Sequence, residues 1–154
     1  MSEDEDELKQ LVDTLAQVEQ QVRAWEAQLE TLAAVRAEIW QARTTLDGLQ
    51  EEPEGREMLV PVGYNTSLFA SLGSQERVLT GLGSRVYMEA PLEQALERLQ
   101  SRLDEVEKAT RDYRESLAQL QQQHAQLRER AEALYAQAEA AKEVGSDFLL
   151  PGGR

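Results

Sequence analysis

Residues 58–90 read MLVPVGYNTSLFASLGSQERVLTGLGSRVYMEA, and this stretch decides the fold. Its β-favouring residues alternate with a period of two between glycines, which predicts four short strands. The predicted strands are Met58–Val62, Ser67–Leu72, Arg77–Leu82 and Arg85–Glu89. Residues 63–66 and Gly83-Ser84 are the predicted hairpin turns, and residues 73–76 join the hairpins. We therefore expect two β-hairpins in one small four-stranded sheet.

The segment before these strands predicts a long helix with a coiled-coil seam. Its apolar residues recur at alternating intervals of three and four. They are Leu8, Leu11, Leu15, Val18, Val22, Trp25, Leu29 and Leu32. The pattern then loosens through Arg36, Ile39, Arg43 and Leu46, with Val35 one position out of step. Because Pro53 prevents regular continuation, we expect a helix over about residues 5–50.

The segment after the strands predicts a second helix. Pro91 suits the first helical position because its missing N–H would have no partner there. The same alternation of apolar positions then continues without a break. It comprises Leu92, Leu96, Leu99, Leu103, Val106, Thr110, Tyr113, Leu117, Leu120, His124, Leu127, Ala131, Leu134, Ala138 and Ala141.

The predicted fold is of the α+β class, a long antiparallel two-helix coiled coil joined by two β-hairpins. Each seam leucine contributes roughly 1.5–3 kcal/mol when buried, so the helices should pair, most simply with each other. We expect a first helical region over 1–52, the hairpins over 53–90, a second helical region over 91–144 and a disordered tail over 145–154.

The strands predict a surface for self-association. Apolar side chains occur on both faces, and an uncovered sheet would leave them and its edges in water. We therefore expect the hairpins to assemble between subunits into an oligomeric β-barrel base. The residues expected in this interface are Leu59, Val60, Val62, Leu68, Phe69, Val78, Leu79, Leu82, Val86, Tyr87 and Met88.

Composition argues against several classes of function. The formal net charge of −13 disfavours a nucleic-acid partner, and no apolar run approaches the roughly 20 residues that cross a bilayer. The acidic start, residues 1–7, is unlike a basic signal peptide, and the chain has no cysteine, so we expect a cytoplasmic protein. No nucleophile has a base beside it in a recognisable pattern. We expect no enzyme, catalytic residue, cofactor or metal.

Five further features have structural interpretations. His124, the single histidine, lies in the predicted seam and is expected to set register instead of binding a metal. The acidic run Glu3–Glu7 favours a helix start, Trp25 fills the seam, and Trp40 packs locally beside Ile39. The spacing of Gly81 and Gly83 indicates turn geometry instead of a phosphate loop.

The hairpin region resembles α-class prefoldin subunits. The resemblance lies in residues 59–63, Leu68-Phe69 and residues 78–89, with long helices on either side. It implies an ATP-independent chaperone in which two such subunits build a double β-barrel and β-class subunits dock on it. It further implies that coiled-coil tips hold unfolded proteins and pass them to a chaperonin. A homo-oligomer, or a divergent bacterial-type relative, stays open because Gly81 and Arg85 depart from the family pattern.

The resemblance also implies where clients would bind. The tips consist of the start of the first helix and the end of the second. The expected client-contacting residues are Leu8, Leu11, Val12, Leu134, Tyr135, Val144 and Phe148, with Leu149 and Leu150 as further candidates.

Two other functions fit the same features. One is a structural scaffold or filament-forming spacer that polymerises through its hairpins. The other is an adaptor that binds one partner helix through Arg36, Trp40 and Arg43, where the seam loosens.

Overall fold

The computed structural model describes residues 3–148 and confirms two long helices flanking two β-hairpins. The elements in chain order are α1 (Glu3–Leu49), β1 (Glu57–Gly63), β2 (Thr66–Ser71), β3 (Val78–Gly83), β4 (Val86–Ala90) and α2 (Leu92–Phe148). The chain forms two compact units. A hairpin unit comprises Leu32–Ala109, and a terminal unit comprises the chain up to Thr31 and from Thr110 onward.

Both hairpins close through two-residue turns in the left-handed region of backbone space. Tyr64 and Asn65 have φ values of 43° and 56°, and Ser84 and Arg85 have φ values of 49° and 62°. Such turns match the right-handed twist of the flanking strands. The predicted strand ends lie within one residue of the observed ones, but the placement of Arg85 in a strand is wrong, since this residue forms half of the second turn.

Each hairpin carries one extra residue just before its turn. Pro61 pairs with Ser67 and Gly63 with Thr66, so Val62 is the extra residue in β1. Gly81 pairs with Tyr87 and Gly83 with Val86, so Leu82 is its counterpart in β3. The glycines after these bulges have φ values of 113° and 98°, which side chains disfavour. Gly83 ends β3 directly before the turn, so the predicted turn Gly83-Ser84 is one residue too early, and Gly81 lies within β3 instead of in a turn.

The prediction of one four-stranded sheet is wrong for the single chain. β1 pairs only with β2 and β3 only with β4 among the described residues, giving two separate two-stranded sheets. No barrel closes within one chain. Isolated two-stranded hairpins are marginally stable in water, so these depend on packing against other elements.

The hairpin unit has its core between α1 and α2. Ile39, Leu103 and Val106 are buried, and Leu32, Val35 and Leu99 pack against them. Val35 thus occupies the seam position that the sequence pattern assigned to Arg36. The Arg36 guanidinium instead lies outside the core, where it contacts the Glu107 carboxylate on α2 at 3.2 Å.

Gln75, in the linker between the hairpins, joins the end of α1 to the start of α2. Its side-chain amide donates to the carbonyls of Leu49, Gln50 and Glu52 at 2.7, 3.1 and 3.1 Å. Its backbone carbonyl accepts a hydrogen bond from the Leu92 N–H at 2.8 Å. Helix ends leave such carbonyls and N–H groups without intrahelical partners, and Gln75 satisfies groups at both ends.

The terminal unit pairs α1 with α2 in antiparallel order. Trp25 meets Tyr113 edge to face with ring centroids 6.3 Å apart, and Glu19 contacts His124 at 3.1 Å. Glu7 pairs with Arg130 nearer the chain ends. Every predicted seam residue of α2 from Leu92 to Ala138 is buried or half-buried, as is every one of α1 from Leu8 to Leu32.

Near its end α2 differs from the prediction. Ala141 is exposed instead of lying in the seam, and α2 continues to Phe148, past the predicted start of the disordered tail at Gly145. A glycine within a helix costs only about 1 kcal/mol relative to alanine, so Gly145 does not terminate α2. The rest of the predicted tail, residues 149–154, lies outside the described residues.

Val106→Ala tests the core of the hairpin unit. Val106 is 3% exposed, so losing two methyl groups there should lower the free energy of unfolding by about 2 kcal/mol. The same change at Val12, which is 54% exposed, is the matched control and should have little effect. Urea unfolding followed by helical circular dichroism at one protein concentration checks this; equal effects of the two substitutions would contradict the assigned core.

Gln75→Ala tests the connection between the helix ends. Removing the amide leaves three carbonyls without its hydrogen bonds, and the free energy of unfolding should fall by about 1–3 kcal/mol. Gln122→Ala, at an exposed site on α2, is the control and should change stability by less than about 0.5 kcal/mol. Thermal or urea unfolding measures both, and a Gln75→Ala protein as stable as the control would reject the capping role.

Candidate protein-interaction surfaces

The larger candidate site, here called the hairpin surface, consists of exposed apolar side chains on all four strands and one turn. Exposure ranges from 40% at Val60 to 101% at Tyr64. Its members are Leu59, Val60, Val62, Tyr64, Leu68, Phe69, Leu79, Leu82, Val86 and Tyr87. Because each sheet has only two strands, the chain leaves these side chains uncovered. An uncovered apolar patch of this kind usually marks a contact with another protein.

The hairpin surface contains most of the residues predicted for oligomerisation. Val78 and Met88 are half-buried within the chain, and the other predicted residues are exposed. The structure thus places them on two hairpins that form separate sheets and leaves most of them exposed. Their role in assembly stays a prediction.

Tyr64 is a member that the sequence pattern did not identify. It lies at the first hairpin turn with a φ of 43°, and the Thr66 hydroxyl donates to its carbonyl at 3.2 Å. A non-glycine residue with positive φ is uncommon in proteins. The two-residue spacing between β1 and β2 is the signal that could have placed its side chain at the hairpin tip.

An ion pair joins the two strands of the second hairpin at their open end. Arg77, just before β3, contacts the Glu89 carboxylate of β4 at 2.9 Å. The hydrogen bond and the positive charge of Arg77 lower the pKa of Glu89, and Glu89 in turn raises the pKa of Arg77. The pairing keeps the only carboxylate of β4 beside an opposite charge, which favours contact with another apolar surface.

The second candidate site, here called the terminal surface, lies in the terminal unit. Its exposed apolar side chains are Val12 at 54%, Tyr135 at 55% and Val144 at 69%. The Tyr135 hydroxyl donates to Glu139 at 3.1 Å, and this hydrogen bond with the adjacent carboxylate raises the Tyr135 pKa.

The remaining predicted client-binding residues are less available. Leu8 and Leu134 are half-buried, and Leu11, at 9% exposed, is part of the packed interface. Leu11 could therefore contact a client only where the helices separate. Phe148 ends α2, but its side chain, like Leu149 and Leu150, lies outside what the structure describes.

The residues of the predicted adaptor site do not share one environment. Arg36 is paired with Glu107, Arg43 is half-buried and Trp40 is 56% exposed. Trp40 is also the one large exposed apolar side chain among the described residues that lies outside the hairpin and terminal surfaces. It is therefore a natural control position for tests of either surface.

Residues 3–148 contain neither a metal-binding cluster nor a membrane-spanning helix. No group of three or more His, Cys, Asp or Glu side chains in this part of the chain is placed to hold a metal ion. Neither α1 nor α2, over its described length, is apolar enough to cross a bilayer. His124 has its contact with Glu19 across the helix pair, in keeping with a seam residue.

Comparison with known proteins gives one consistent family. Residues 18–137 match the model of the prefoldin subunit family. A prefoldin subunit alpha of Methanoregula boonei is 30% identical over 141 residues, which are 92% of each chain. One from Pyrococcus horikoshii is 26% identical over 133 residues, covering 86% of this chain and 90% of the relative.

A solved structure supports the fold. The filamentous PFD of Methanocaldococcus jannaschii, determined by cryo-EM, matches with a TM-score of 0.65 and 22% identity, over 75% of this chain and 95% of that one. Prefoldins are chaperones whose subunits assemble into oligomers. The family model covers most of the chain, the fold has two hairpins between two long helices, and the similar relatives are α subunits. This chain therefore belongs to the prefoldin family as a chaperone subunit of the α class.

Proposed function

We propose that this subunit works as an ATP-independent holdase, which assembles through its hairpin surface and binds unfolded proteins through its terminal surface. One observation carries the proposal. Apart from Trp40, every large exposed apolar side chain among the described residues belongs to one of these two surfaces. The chain is strongly acidic, which favours solubility while clients are held.

The terminal surface suits weak and sequence-tolerant binding. Val12, Tyr135 and Val144 are separate apolar side chains on a strongly charged helix pair, not the lining of a deep pocket. A single copy would therefore hold an unfolded chain loosely. Several copies in one particle would raise the avidity by about 10²–10⁴-fold through effective concentration.

The hairpin surface suits a permanent contact. Its apolar side chains lie on both faces of strands whose edges are unpaired, so association would cover both features together. The partners we propose are other copies of this chain and a β-class prefoldin subunit, joined in a β-barrel base. A cytoplasmic location, transfer of clients to a chaperonin and the absence of catalysis belong to the same proposal.

The first test removes the terminal surface. A chain without residues 1–12 and 134–154 should keep its number of subunits, because the hairpins remain, but should lose protection of an unfolded test protein. A finer variant changes Val12, Tyr135 and Val144 together to serine and should reduce protection by at least about half. Light scattering of a chemically unfolded protein diluted without ATP measures the effect.

Trp40→Ser is the matched control, because it removes an equally exposed apolar side chain from neither surface. It should leave protection unchanged. Full protection by the truncated chain would refute the terminal surface as the client site, whatever the oligomeric mass.

The second test disrupts the hairpin surface. Phe69→Ser with Leu79→Ser replaces side chains that are 73% and 66% exposed in the single chain. The variant should therefore fold normally, with unchanged helical circular dichroism, but fall to a smaller particle by multi-angle light scattering. Retention of the wild-type mass would contradict assembly through this surface. Trp40→Ser again serves as the control.

The filamentous PFD gives specific support to a second candidate, a scaffold that polymerises through its hairpins. At 22% identity, that structure bears on this chain's fold and only suggests its assembly. Electron microscopy of the purified protein separates the two functions. Open filaments without aggregation suppression support the scaffold, whereas closed particles that suppress aggregation support the holdase.

A further inference from the structure

α2 extends past the start of α1 in the terminal unit. Glu7 pairs with Arg130 and Glu19 contacts His124, and these contacts fix how the two helices lie beside each other. Because the helices are antiparallel, the described part of α1 begins level with residues 134–140 of α2. The described part of α2 runs on for at least eight residues, or about 12 Å, beyond that level.

The end of α2 therefore has a face that the described part of α1 does not cover. Ala141 continues the spacing of the seam but is exposed, because no described residue of α1 lies opposite it. Val144, in the same stretch, is 69% exposed, and Tyr135, at the level where α1 begins, is 55% exposed. The terminal surface thus lies along a helix end that has room for another chain beside it.

Carboxylates surround the terminal surface. Residues 3–13 carry six acidic side chains and one lysine, and residues 128–145 carry four acidic side chains and three basic ones. These two stretches therefore hold a net charge of −6 out of the −13 of the whole chain. An apolar segment that binds there meets a strongly negative border, so the charge of the segment affects how tightly it binds.

The carboxylates of residues 3–6 have no cationic partner within the part of the chain that the structure describes. Arg130 is engaged by Glu7, and Arg128 by Glu132. The side chains of residues 3–6 are all exposed, and no described lysine or arginine forms an ion pair with them. They are therefore available to a positively charged partner.

The end of α2 adds to the negative potential. The helix dipole places partial negative charge at a C-terminus, and lysine or arginine in the last turn usually offsets it. α2 has no basic residue in its last turn. A cationic side chain of a bound segment would therefore be attracted by the carboxylates of α1 and by the end of α2 together.

We propose that the terminal surface selects unfolded segments in which large apolar residues stand beside lysine or arginine. The inference rests on the proposed holdase function and names the class of client. The apolar residues pack on Tyr135, Val144 and the uncovered face of α2, while the cations face Glu143 and the carboxylates of residues 3–6. A second copy of this chain is a poor occupant, because it brings the same negative border.

Binding of three synthetic peptides to the full-length oligomer tests this selection. The peptides share the same leucine and phenylalanine residues, and the positions between them are all lysine, all glutamine or all glutamate. We expect the lysine peptide to bind at least about tenfold more tightly than the glutamate peptide, because several exposed charge pairs each contribute a little. High salt should shrink the difference, since it screens exposed charges. Fluorescence anisotropy of the labelled peptides measures the affinities.

Glu139→Gln with Glu143→Gln tests the location of the site. This variant leaves the first turn of α1 intact, whose acidic residues also stabilise that helix. It should lower the preference for the lysine peptide over the glutamate peptide about threefold, while binding of the glutamine peptide stays unchanged. Glu26→Gln with Glu30→Gln is the matched control. It removes the same charge from exposed positions more than a Debye length along α1, and should leave the preference unchanged.

The inference and the proposed function fail differently. Equal affinity for the three peptides, or tighter binding of the glutamate peptide, overturns the charge selection and leaves the holdase standing. Failure of the lysine peptide to bind, while an unfolded test protein is still protected, does the same. An equal loss of preference in the matched control would assign the attraction to the net charge of the chain and overturn the site. If no peptide binds and the test protein aggregates, the proposed function itself is rejected.

Discussion

The pairing of two apolar stripes is the constraint from which the rest of this molecule follows. A seam with a spacing of 3.5 residues covers only one side of a helix, so α1 and α2 each need a partner along their length. Core residues such as Ile39 and Val106 meet this need within the chain. Once the seams are covered, the apolar side chains left over lie mainly on the hairpins and near the chain ends. These exposed apolar side chains define where other proteins can bind.

Much of this arrangement could be predicted because local patterns determine it. Apolar residues at alternating intervals of three and four predict the seam from Leu8 to Leu32 and from Leu92 to Ala138. Heptad spacing is enough for this because it determines which side of a helix is covered. The change to a period of two located all four strands. The exposed residues of the hairpins were also largely anticipated, because a short strand with apolar residues on both faces cannot cover both by itself.

What could not be predicted depends on geometry that a pattern does not encode. A period of two does not reveal the extra residues Val62 and Leu82, and the turn residue Arg85 lacks the usual glycine or asparagine signal for positive φ. Strand patterns do not say which strands pair, so the sequence does not distinguish two separate hairpins from one four-stranded sheet. Gln75 donates to three carbonyls that lie more than twenty positions away along the chain, so no local sequence pattern predicts these hydrogen bonds.

Gln75 also makes the three connections between strands unequal as places to open or lengthen the chain. The side chains of Ser84-Arg85 cap neither helix and lie outside the hairpin surface, so a label or a new pair of termini could be introduced at this turn with local effects. A cut or an insertion next to Gln75 would instead disturb its contacts with the Leu49 carbonyl at the end of α1 and with the Leu92 N–H at the start of α2 together. A split version of this subunit should therefore be divided at a hairpin turn and not in the linker.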